Sequence, residues 1–189
     1  MTNNEINRKI GQYTLVARRP KNAEHYAGVI WRDGEKMFHI EGNTLDDVFA
    51  LLESHRAELV ASQLQANTNA SPTADLARKA FVALAADLPF NRLKMLRAHY
   101  HAPNRCITAR QLAEAAGYAN YGAANLQYGL LAADFWAQLP TEIKQRKDGT
   151  RIWTLALAEA GNVETAKEEE WVWRLRPYVA EGLGLSGLL

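Results

Sequence analysis

The sequence predicts an α+β protein in two parts: an N-terminal three-stranded sheet with one helix, and a C-terminal helix-turn-helix with a small β-wing, which is winged-helix-like. Three observations lead there. The first part of the chain alternates apolar and polar residues at the two-residue period of strands. The stretch Ile107–Ala132, ITARQLAEAAGYANYGAANLQYGLLA, reads as two helices about a tight Gly-Tyr turn. After Pro140 the pattern returns to β-rich runs.

In order along the chain, QYTLVARR, HYAGVIWR and EKMFHIEG are the expected strands, and Asp33-Gly34 joins the second and third as a hairpin turn. Thr44 caps a helix with Asp46 and Asp47 in its first turn, and Val48, Leu51, Leu52 and Leu59 recur on one face through about Leu64. Residues 1–64 thus form a small α/β accessory domain with a core that is marginal alone. Polar residues 65–73, QANTNASPT, broken by Pro72, are the expected linker.

Residues 74–189 form the second domain. An alanine-rich helix is expected over Ala74–Asp87, limited by Pro89, and a second over Phe90–His101, ended by Pro103. In the helix-turn-helix, Thr108 and Gln111 have the spacing of a capping box, and Gly117 stands where a C′ glycine stops a helix. The second helix begins near Asn120 and Tyr121 and carries Asn125, Gln127 and Tyr128; amides of this kind pair bidentately with adenine edges in a major groove. EIKQRKDGTRIWTLAL is expected to be a hairpin turning at Asp148-Gly149, EEEWVWRLR a third β-rich run, and Pro177–Gly184 a closing helix.

Composition is that of a globular chain able to bury a core, with 48% hydrophobic residues and a net charge of +1. The charge is unevenly spread. No acidic residue lies between Asp87 and Glu114, a stretch that holds Arg92, Lys94, Arg97, Arg105 and Arg110. This is a modest footprint for a polyanion, and a solvated face gives a similar pattern. The lone cysteine, Cys106, excludes an internal disulfide, and no apolar run is long enough for a membrane span, so a cytoplasmic protein is expected.

Catalytic constellations are nearly absent, and no enzyme activity, cofactor or metal is expected. His99, His101 and Cys106 match no established zinc spacing, so histidines at a helix end near phosphates or solvent are the preferred reading. Asp46-Asp47 is better explained by the helix dipole than by a metal. Trp171 and Trp173 share one side of a strand and Trp153 lies in the neighbouring run; they either fill space between sheet and helices or line a pocket that stacks an extruded base. Trp31 admits the same two readings.

The run AHYHAPNRCITARQLAEAAGYANYGAANLQYGLLA, with RIWTLALA and WVWRLRPYVAEGLG, resembles a little-characterised bacterial winged-helix-like domain. That domain is found alone or beside HNH-type nuclease modules in restriction-like proteins. The resemblance covers roughly Leu93 to Leu185 and implies a DNA-associated role, without cleavage, since no His/Asn/His metal module is present. The expectation is a protein that binds double-stranded DNA, in transcriptional control or in defence against foreign or modified DNA. Lys94, Arg97, Arg105 and Arg110 would anchor phosphates, while Asn120, Tyr121, Asn125 and Gln127 approach bases or backbone. The alternative is a protein-interaction module, such as an inhibitor of a defence complex, on the same scaffold without nucleic acid.

Overall fold

Residues 5–161 and 171–189 are described in a computed structural model of the chain, which divides into two units, Met1–Asn69 and Ala70–Leu189. In the first unit four antiparallel strands follow in simple order: β1 (Glu5–Ile10), β2 (Tyr13–Arg18), β3 (Tyr26–Arg32) and β4 (Glu35–Gly42). One helix, α1 (Leu45–Asn69), covers one face. Tyr13, Leu15 and Ala17 of β2 and Ile30 of β3 point inward and pack on Val48, Phe49 and Leu52. Gly28 permits the close approach of α1, since a Cβ there would meet Val48 Cγ1 at 2.6 Å.

The expected three-stranded sheet is therefore corrected to four strands, and the described residues form six α-helices. The missed strand, β1, reads as polar because its inward positions are Ile6, Arg8 and Ile10. Arg8 lays its guanidinium over the Phe49 ring at 4.9 Å and reaches Glu53 at 3.4 Å. Such charged residues suit an edge strand, where they discourage further pairing. The helix also runs past Leu64 into the expected linker, closed by bonds such as Thr68 Oγ1 to the Leu64 carbonyl at 2.9 Å.

The second unit begins with α2 (Ala74–Leu84), whose N-cap Thr73 accepts from the Leu76 amide, and continues through a 3-10 turn at Ala85–Asp87. Then come α3 (Phe90–His101), β5 (Cys106–Thr108), α4 (Ala109–Ala116), α5 (Tyr121–Gln138), β6 (Ala158–Ala160), β7 (Val172–Leu175) and α6 (Pro177–Gly184). Phe81, Met95, Leu96, Leu112, Leu131, Phe135 and Leu183 form its core, with Phe81 and Phe135 4.8 Å apart.

The expected hairpin over EIKQRKDGTRIWTLAL contracts to a turn. Gln145 and Arg151 form one bridge about Asp148-Gly149, and Trp153–Ala156 then winds into a 3-10 turn instead of a strand. The small antiparallel sheet takes β7 as its centre, in the order β5-β7-β6. β5 gives no sequence signal because three residues are too few to alternate. Of the run EEEWVWRLR, Glu168–Glu170 lie outside the described residues.

Candidate nucleic-acid interface

The pair α4–α5 is built by local chemistry. Thr108 Oγ1 accepts from the Gln111 amide at 3.2 Å, while Gln111 Oε1 accepts from the Thr108 amide at 2.9 Å, closing the capping box. Gly117 ends α4 at φ 76°, a left-handed conformation that costs glycine nothing. Asn120 caps α5 by accepting from the Ala123 amide at 3.0 Å.

Along α5, Ala124, Tyr128, Leu131, Ala132 and Phe135 face the core. Away from the core α5 exposes Leu126 (62%) and Leu130 (41%), while Tyr121 (65%) and Asn125 are exposed in its first two turns, on the stripe that Tyr128 and Ala132 continue into the core. Among the described residues the Asn125 amide has no hydrogen-bond partner; Gln111, the possible local partner, is spent on the capping box. Gln127 lies on another side of the helix and accepts from Arg92 Nε at 3.0 Å, while the same guanidinium pairs with Asp134 at 2.8 Å.

Each of the expected phosphate anchors has a neighbour of its own. Lys94 is exposed, with its ammonium over the Phe90 ring at 4.8 Å. Arg97 Nε donates to the Leu188 carbonyl at 2.8 Å, near the end of the chain. Arg105 stacks on Tyr100 at 3.7 Å, and Arg110 pairs with Glu114 at 3.4 Å on α4. A different basic group stands beside α5. The turn at 144–151 carries Lys144, Arg146, Lys147 and Arg151, a run visible in the sequence but lying beyond the acid-free stretch. Its own acid, Asp148, is occupied by Thr150, whose amide and hydroxyl hold the carboxyl below its ordinary range.

Between this turn, α5 and β7 lies a groove of about 410 Å³. Asn125, Leu126, Gly129 and Leu130 form its α5 wall; Arg146, Arg151, Ile152, Trp153 and Thr154 form the facing wall, with Trp173 of β7. Arg151 lies over Trp136 at 4.8 Å and Trp153 at 5.5 Å, and those two indoles meet edge to face at 5.6 Å. Trp136 and Trp153 pack against the core, Trp153 and Trp173 line the groove, and Trp171 is 61% exposed. In the first unit Trp31 is 39% exposed.

His99 pins both walls. It is fully buried, contrary to the expected place near phosphates or solvent; His101 alone of that pair is exposed. His99 Nε2 faces the Trp173 carbonyl at 3.0 Å, which can only accept, so Nε2 carries the proton. Nδ1 then accepts from the Tyr128 hydroxyl at 2.5 Å. Burial pushes the His99 pKa down to about 4, and it pushes the Tyr128 phenol up. Tyr128 adjoins Gly129, so one neutral imidazole links α3 to the α5 wall and to β7. Sequence spacing offered no sign of this, since the three residues come from distant elements.

Among the described residues no group of three His, Cys, Asp or Glu side chains is placed to hold a metal, and no helix is long and apolar enough to cross a membrane. Cys106 is buried, its thiol near the Asn104 carbonyl at 3.5 Å. Comparison with known proteins returns no matching family, no matching curated protein and no matching solved structure.

Proposed function

We propose that this chain binds double-stranded DNA through α4 and α5 as a helix-turn-helix. The exposed face of α5 enters a groove of the duplex, and the basic turn at 144–151 meets the backbone. The observation that carries this reading is the unpartnered Asn125 amide beside the arginine-bearing turn. A free amide on an exposed helix face can donate and accept at a base edge, and guanidinium groups flanking it fix register on phosphates. The small sheet β5-β7-β6, which brackets the helix pair in sequence, supports the winged-helix part of the reading. Lys94 and Arg110 are candidates for outer phosphate contacts, and Tyr121 for the backbone at the start of α5.

A second reading, a protein-binding module, is favoured by Leu126 and Leu130, exposed on the same helix. A salt titration of duplex binding separates the two. DNA binding that weakens steeply with salt, and less steeply in a variant with Arg146, Lys147 and Arg151 all changed to Gln, supports the first. Asn125→Ala should melt within about 0.5 kcal/mol of the parent yet bind more weakly. No binding even at low salt refutes the DNA reading and leaves the protein partner.

A further inference from the structure

We propose that the groove beside α5 takes a single unstacked nucleotide of a DNA strand, its base against the indoles and its phosphate against Arg146 and Arg151. The inference rests on the DNA-binding reading and deepens it. Three features of the groove point the same way. Its lining combines two tryptophans, two arginines and the free Asn125 amide, which is the chemistry that an anionic, planar, hydrogen-bonding unit requires. Its volume of about 410 Å³ lies in the range of small-ligand sites and admits one nucleotide. It is also continuous with the exposed face of α5, so a strand lying on that face passes its mouth.

Gly129 is the most telling residue. A glycine within a helix weakens it relative to alanine, and glycines usually repay that cost where a neighbour comes too close for a Cβ. Here a Cβ would meet nothing within 4 Å, so no neighbouring atom of the fold requires the glycine. What the missing side chain does is keep the groove open. The contrast with Gly28, whose Cβ would strike Val48, marks the difference between a packing glycine and this one.

Extrusion costs least where a nucleotide is already unpaired. The full chain should therefore bind a duplex with a one-nucleotide bulge at least about fivefold more tightly than the fully paired duplex, the smaller end of what one stacked base contributes. Gly129→Leu fills the groove from a position with open space and a better helix former, so it should fold at least as well as the parent. It should lose the preference for the bulge, bringing the ratio of the two affinities to about one whatever its effect on binding to the paired duplex. Trp173→Ala should reduce the ratio in the same direction.

If the parent binds paired duplex without preferring the bulge, or Gly129→Leu keeps the preference, the nucleotide site is refuted while the DNA reading stands. Absence of binding to either duplex overturns both. If free dAMP quenches indole emission in the parent but not in Gly129→Leu, and the bulge brings no preference, the source is a free nucleotide and the strand proposal fails.

Discussion

Acidification should loosen the second unit through one residue, His99. Its imidazole is neutral in the fold, with Nε2 donating to the Trp173 carbonyl and Nδ1 accepting from Tyr128. In the unfolded chain it titrates near its ordinary value of 6.5, whereas in the fold it does so at about 4. Between those values the unfolded state binds the extra proton, so stability falls as pH falls through this window and levels off below about 4. At about 1.4 kcal/mol per pH unit, the full window is worth roughly 3 kcal/mol. Protonation also gives Nδ1 a hydrogen where it had accepted one, so the Tyr128 link must reorganise. Histidine resonances followed by NMR should show one imidazole titrating near pH 4, with Nε2 protonated in the neutral form. Denaturation monitored on the second unit should then lose stability from pH 6.5 to 4 faster than in His99→Leu, by about one proton. That variant leaves the buried Tyr128 hydroxyl unpaired, at a cost of about 1–3 kcal/mol at neutral pH. Tyr128→Phe is the milder control and should keep the acid step, because the burial that depresses His99 persists. Equal acid slopes in the parent and His99→Leu, or a His99 midpoint near 6.5, would refute the reasoning.

Two further outcomes follow from packing and capping. Gly182→Ala places a Cβ 2.5 Å from Ala77 Cβ and 2.7 Å from the Ala74 carbonyl, so α2 and α6 must separate. It should lower stability by roughly 1–3 kcal/mol, and a melting temperature at or above the parent's would show that the contact yields easily. Thr108→Ala removes the acceptor for the Gln111 amide and should cost about 1 kcal/mol, while Thr108→Ser should be close to neutral; equal melting of the two would take the capping box out of the account.

What the sequence by itself determined is what neighbours in sequence decide together. Thr108 with Gln111, Gly117, and the turn at Asp148-Gly149 all act within one helical turn or hairpin, so residue identity and spacing suffice. Alternation likewise exposed β2, β3 and β4, each with a clear inward face. At the candidate site, Asn125 and Tyr121 were legible as polar and aromatic groups on a helix; their exposure was not. Tertiary structure decided the rest. β1 is a strand because β2 pairs with it, and β5 because β7, far along the chain, lies against it. Gln127 is turned to Arg92, and Arg97 to the chain's end, by contacts no local pattern encodes. Spacing placed His99 at a helix end near phosphates or solvent, whereas the packing of α3, α5 and β7 buries it against Tyr128 and the Trp173 carbonyl. The groove is the same kind of outcome. Its two walls come from segments that meet only when the core closes, so its aromatic, basic and amide groups became one site through folding.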